Sequence, residues 1–75
     1  MDYNNNIERR PDVMMGKPVI KGTRITVELI LRKIAAGNTI EDLLKNYPHL
    51  TGPQIMAVLE YAADLIANEE TIETV

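Results

Sequence analysis

Seven of the eight basic residues in this 75-residue chain lie close together near its start. Between positions 9 and 33 the only acidic residues are Asp12 and Glu28, so the net charge of this stretch, seven minus two, is +5. Guanidinium and ammonium groups bind phosphates, and a clustered excess of them is typical of a nucleic-acid-binding surface. The candidate contacts are Arg9, Arg10, Lys17, Lys21, Arg24, Arg32 and Lys33.

The end of the chain has the opposite charge. No basic residue follows Lys45, and the acidic residues after it are Glu60, Asp64, Glu69, Glu70 and Glu73. The net charge of the chain is −3, which by itself argues against nucleic acid, so the argument rests on the uneven distribution. A functional interpretation is a nucleic-acid surface in the first part of the chain and a site for a basic partner near its end. The alternative is an ordinary solvated surface with a frayed acidic end.

Catalytic and metal-binding side chains are sparse. His49 is the one histidine, there is no cysteine, and no pair of carboxylates has a catalytic spacing. We therefore expect a protein that is not an enzyme, with no metal, no cofactor and no small-molecule substrate.

Composition also limits the compartment and the core. No apolar run approaches the roughly 20 residues of a membrane span, and the polar start lacks the features of a secretory signal. The absence of cysteine fits a reducing cytosol, so we expect a cytoplasmic protein without membrane contact. Without Phe or Trp the core must be aliphatic, and so short a chain is often stabilised by dimerisation.

The first third of the chain is expected to contain short β elements. Residues 1–6 are polar and predict a disordered arm. The short apolar runs Val13–Met15 and Val19–Ile20, with Ile25, are candidate strands, and turns are expected around Gly16 and Gly22.

Helical spacing begins at position 27. Apolar residues recur there at i, i+3, i+4 and i+7, and Thr26 and Gly37 are suited to begin and end a helix over 27–36. Thr39 predicts a second helix over 40–46, which Pro48 terminates. A Thr51–Gln54 capping box starts a third helix that should reach about Asn68.

The order of these elements predicts the fold. We expect a mainly α domain over 7–68, with a small N-terminal β segment before three helices, and a frayed acidic tail over 69–75. A short helix, a tight connection and a longer helix suggest a homeodomain-like helix-turn-helix, in which Thr51 and Gln54 would face DNA bases. A plain three-helix mini-bundle has the same periodicities.

The third helix has more apolar surface than one core stripe uses. Its expected stripe is Ile55, Val58, Leu59, Ala62 and Ile66. Met56 and Ala63 flank it on one side, and Tyr61 and Leu65 on the other. We expect a homodimer that buries Met56, Tyr61, Ala63 or Leu65. The alternative is that the β segment of the same chain covers this surface.

The ten residues Gly16–Ile25 form a distinctive motif, GKPVIKGTRI. It resembles the GKPxIxGTRI signature of a large prokaryotic family, domain-of-unknown-function family 433. In that family the signature is followed by a short helix ending at Gly, a small helix ending in Tyr-Pro, then Leu-Thr and a long helix. This chain matches at Ala36–Gly37, Tyr47–Pro48 and Leu50–Thr51, and the resemblance covers about residues 7–66.

The resemblance implies a homeodomain-like fold and an antitoxin role. Members are often encoded beside a small PIN-like protein of the ribonuclease type, and many are regarded as type II antitoxins, which bind their own operator and sequester the toxin. The expected function is thus an antitoxin-like DNA-binding regulator with duplex DNA and a PIN-like toxin as partners. The rival function is a protein-interaction module of the same fold that does not touch DNA.

Two interpretations of Arg24 remain. In the structural one, Gly22 supplies a positive φ, Thr23 a turn hydrogen bond, and Arg24 pairs with a carboxylate such as Glu28. In the functional one, Arg24 contacts DNA or a partner. We favour the structural interpretation, because ordered apolar residues lie on both sides of the turn.

Overall fold

The computed structural model describes the backbone of residues 5–73 and the side chains of residues 5–68. Most of the expected N-terminal arm, residues 1–4, and the last two positions of the expected acidic tail lie outside the described residues. The elements, in chain order, are β1 (Ile7–Glu8), β2 (Val19–Ile20), α1 (Val27–Ala35), α2 (Ile40–Asn46) and α3 (Gly52–Glu73). Three helices behind a two-stranded sheet confirm the predicted fold class.

The small sheet differs from the prediction. β1 and β2 are antiparallel, with Ile7 opposite Ile20 and Glu8 opposite Val19. The candidate strand Val13–Met15 was wrong, because Met14, Met15 and Gly16 form a turn with φ of 49°, 57° and 79°. Consecutive left-handed residues cannot lie in a strand. Ile25 is outside both strands, although its backbone carbonyl accepts a hydrogen bond from the Ile20 N–H at 2.9 Å.

The helix boundaries follow the capping residues closely. The Thr26 hydroxyl accepts from the Leu29 N–H, and Thr39 and Asp42 bond each other reciprocally. Gly37, with φ +102°, ends α1 as expected. α3 is helical to Glu73, five positions beyond the expected end.

The core is aliphatic, as predicted, and lies where the sheet meets the three helices. Its buried residues are Ile7, Val19, Ile20, Val27, Ile30, Leu43, Leu50, Ile55, Ala57 and Val58. The expected stripe of α3 holds for Ile55 and Val58 but not for Ile66, which is 54% exposed. Ala57 is buried instead. The reason is that the β segment and the other helices cover only the first half of α3.

Within the described residues, no helix is long and apolar enough to cross a membrane.

Candidate nucleic-acid interface

The turn between β2 and α1 is held by several hydrogen bonds. The Thr23 hydroxyl donates to the Ile20 carbonyl at 2.7 Å and accepts from the Ile25 N–H at 3.0 Å. Gly22 has φ +80°, and its N–H donates to the Glu8 carboxylate at 3.0 Å. The roles predicted for Gly22 and Thr23 are therefore confirmed. Hydrogen bonds to Glu8 of β1 and to Ile20 of β2 hold the turn in place.

Two cations stand at the ends of this turn. The side chains of Lys21 and Arg24 are exposed, and neither makes a hydrogen bond or an ion pair with residues 5–68. The expected pairing of Arg24 with Glu28 was wrong. The Glu28 carboxylate is already bound by two other cations, and the turn leaves Arg24 in solvent.

Glu28 bridges Lys17 and Arg32. Its Oε1 lies 3.3 Å from the Lys17 Nζ, and its Oε2 lies 3.1 Å from the Arg32 Nε, one turn along α1. The Arg32 hydrogen bond, followed by that of Lys17, lowers the pKa of the Glu28 carboxyl. The carboxylate stays ionised and offsets part of the positive charge of its two partners.

The remaining basic residues of the stretch are divided in the same way. The Arg9 guanidinium donates to the Tyr61 hydroxyl, and Arg10 lies 3.8 Å from the Asp12 carboxylate. Lys33 is half-buried, and its ammonium group has no side-chain partner among residues 5–68. Among residues 5–68, four residues of the predicted phosphate-binding set of seven thus have partners and three have none.

The start of α3 uses its polar side chains to cap itself. The Thr51 N–H donates to the Gln54 amide oxygen at 2.8 Å, and the Gln54 N–H donates to the Thr51 hydroxyl at 3.4 Å. This capping box was predicted. Because it occupies one end of the Gln54 amide, base reading by Thr51 and Gln54 has little structural support, and α3 carries no Lys or Arg.

The four candidate dimer residues lie on two faces of α3. At about 100° per residue, Tyr61 and Leu65 lie about 40° apart, whereas Met56 and Ala63 share a face well away from them. Tyr61 and Leu65 line a groove between α1 and α3 with a volume of about 430 Å³, which we call the α1–α3 groove. One flat interface therefore cannot use all four residues.

The structural roles of two residues were not predicted from the sequence. Glu8 holds the turn at Gly22, and its position opposite Val19 in the sheet is visible only once the strands are paired. Met15 is 88% exposed and has a left-handed backbone conformation, which a methionine in the sequence does not predict. Within residues 5–68, no cluster of three or more His, Asp or Glu side chains is placed to hold a metal ion.

Comparison with known proteins agrees with the fold. The family model "Protein of unknown function (DUF433)" matches residues 7–62. The uncharacterized protein y4eO of Sinorhizobium fredii (strain NBRC 101917 / NGR234) is 36% identical over 52 residues, covering 69% of this chain and 24% of that protein.

A solved structure is similar as well. The crystal structure of a DUF433 member protein from Anabaena variabilis, determined at 2.00 Å resolution, has a TM-score of 0.79 and 33% identity. The match covers 93% of this chain and 66% of that one. The chain thus spans about a quarter of the curated relative and about two thirds of the crystallised one. With most of its length matched by the family model and its fold shared with a solved member, this chain belongs to the DUF433 family.

Proposed function

We propose that this protein is a non-enzymatic DNA-binding regulator of the antitoxin type. The observation that carries the proposal is the pair of exposed cations, Lys21 and Arg24, at the ends of a turn in which the backbone N–H groups of residues 21, 22, 23 and 25 are hydrogen-bonded. Duplex DNA is the proposed ligand of this turn.

No carboxylate among the described side chains pairs with the two cations of the turn, so both are available to bind phosphate. The Glu8 carboxylate accepts a hydrogen bond from the Gly22 N–H. Among the described side chains it makes no ion pair with Lys21 or Arg24. A rigid backbone reduces the entropy lost when the two cations engage a ligand. Contacts of this kind position a protein on the phosphate backbone and carry no base sequence by themselves.

The proposed toxin partner is a small PIN-like protein of the ribonuclease type. Support for this partner comes from the family resemblance of the Gly16–Ile25 motif. Co-expression of the two chains, followed by co-purification and a ribonuclease assay, tests it: a true antitoxin lowers the nuclease activity on forming the complex. An unchanged activity in a stable complex would remove the antitoxin role.

The DNA proposal is tested by titrating a fluorescent duplex with the full chain over a range of salt concentrations. We expect affinity to fall steeply with salt. The double variant Lys21→Ala/Arg24→Ala should weaken binding to all sequences and reduce the slope of log K against log salt by about 2, roughly one for each phosphate contact. Lys45→Ala, which removes an exposed cation on α2, is the matched control and should change little.

The rival is a protein-interaction module without DNA contact, and the exposed apolar groove beside α3 favours it. The same titration separates the two. No binding at low salt would support the rival. Equal losses in Lys45→Ala and in the turn variant would reject the turn as the DNA contact. A change in sequence preference on Gln54→Ala would instead make α3 the reading element.

A further inference from the structure

The apolar face of α3 continues past the body of the domain. Ile55 and Val58 on this face are fully buried, and about two turns after Val58 the neighbouring residues Leu65 and Ile66 are 44% and 54% exposed. The face remains apolar along the helix, but the rest of the domain covers only its first half. This uncovered half of α3 forms one wall of the α1–α3 groove.

The groove is apolar inside and basic at its edge. Its apolar lining includes Val27 and Leu31 of α1 with Tyr61, Ala62, Leu65 and Ile66 of α3. At the edge are Arg32 and Glu28, with Lys17 bound to Glu28 and Arg9 bound to the Tyr61 hydroxyl. Three cations against one carboxylate leave this edge with a net charge of +2.

The chain itself contains a segment with the complementary character. The last turns of α3 follow directly on Leu65 and Ile66, and the sequence there has Glu69, Glu70 and Glu73 with no basic residue. An apolar patch followed by an acidic helix end matches an apolar groove with a basic edge. Both features belong to the same chain and meet at Leu65 and Ile66, so the surface is self-complementary, as a two-fold dimer requires.

We propose that the α1–α3 groove is occupied by a second copy of this chain, with the two α3 helices antiparallel. Leu65 and Ile66 of each copy enter the groove of the other. The acidic end of each α3 then lies over the basic edge at Lys17 and Arg32 of its partner. Met56 and Ala63 lie about 180° and about 160° around α3 from Leu65 and are outside this interface. The proposal is independent of whether the protein binds DNA.

The oligomeric state of the full chain tests the proposal. Sedimentation equilibrium at micromolar concentration should give twice the 8.4 kDa mass of one chain. Leu65→Glu should raise the dissociation constant of the dimer at least about tenfold, because it places a carboxylate in the apolar groove. Met56→Glu is the matched control: it is 42% exposed on the same helix, and it should leave the dimer intact.

A second pair of variants tests the orientation. Arg32→Gln should raise the dissociation constant at low salt and have less effect at high salt, whereas Lys45→Gln, the same change of charge on α2, should not. Circular dichroism of each variant confirms that it is folded.

Three results would overturn the proposal. A monomeric wild-type chain would show that no second copy occupies the groove. A dimer that survives Leu65→Glu but dissociates in Met56→Glu would place the interface on the opposite face. A dimer equally sensitive to Arg32→Gln and Lys45→Gln would reject the antiparallel arrangement.

Discussion

Arg9 donates two hydrogen bonds to the hydroxyl of Tyr61, from its Nε at 3.0 Å and from its Nη2 at 2.8 Å. The two residues are 52 positions apart, and the contact ties the chain that follows β1 to the middle of α3. The β segment thus does cover one of the apolar side chains of α3. Leu65 and Ile66, one turn further on, remain exposed.

We expect Tyr61→Phe to lower the free energy of unfolding by about 0.5–1 kcal/mol, because it removes the acceptor of both hydrogen bonds while keeping the ring. For a chain of this size, that corresponds to roughly 2–8 °C in Tm. Thermal unfolding of Tyr61→Phe, Arg9→Ala and the double variant measures the coupling. Strictly additive losses would mean that the contact contributes nothing to stability.

Gly22→Ala should destabilise the protein by about 1 kcal/mol, although a Cβ at this position would meet no atom within 4 Å. The cost comes from the φ of +80°, which Ala adopts poorly. Gly16→Ala is the matched comparison, because that glycine also has open space around it and a φ of +79°. Denaturant unfolding should show a similar loss for both variants, and a loss in only one of them would refute the backbone explanation.

Met15→Gly should stabilise the fold, or at least not weaken it. Met15 holds φ 57° with 88% of its surface exposed, so it gives up little packing and the change removes backbone strain. The gain is limited to about 1 kcal/mol, because glycine also makes the unfolded chain more flexible. A clear decrease in Tm would show that the Met15 side chain makes a stabilising contact.

Arg24→Ala should change the free energy of unfolding by less than about 0.5 kcal/mol, because the side chain is exposed and has no partner among the described side chains. Thr23→Val, at the neighbouring position, should cost about 1–3 kcal/mol, because it leaves the half-buried Ile25 N–H without its acceptor. Chemical denaturation of the two variants compares them directly. A large loss in Arg24→Ala would restore a structural role for the guanidinium.

Stability should fall in acid partly through Glu28 and Asp42. The pKa of Glu28 is lowered by Arg32 and then Lys17, and the pKa of Asp42 is lowered mainly by the hydrogen bond from the Thr39 backbone N–H. A carboxyl whose pKa is lower in the folded state contributes stability above its unfolded pKa, and this is lost as the pH falls through the folded value.

We therefore expect Tm to decrease as the pH is lowered from about 5 to about 3, and to decrease less in Glu28→Gln/Asp42→Asn. The double variant should be less stable than the wild type at pH 7 and closer to it at pH 3. Parallel curves of Tm against pH would contradict this assignment.

The local structure could largely be read from the sequence. The capping pairs Thr39–Asp42 and Thr51–Gln54 mark helix starts because each is a contact between residues three positions apart. The turn at Gly22 and the aliphatic core were predictable for the same reason, since backbone preference and helical periodicity act over short stretches of chain.

The candidate sites depended on contacts that no local pattern contains. Glu28 pairs with Lys17 and not with Arg24, because the turn directs Arg24 to solvent while β2 and α1 bring Lys17 alongside the helix. Likewise, Ile66 has the spacing of a core residue and is exposed, because the described β segment, α1 and α2 do not cover the second half of α3. Sequence determined which residues are cations or apolar, and tertiary packing decided which of them had already found partners.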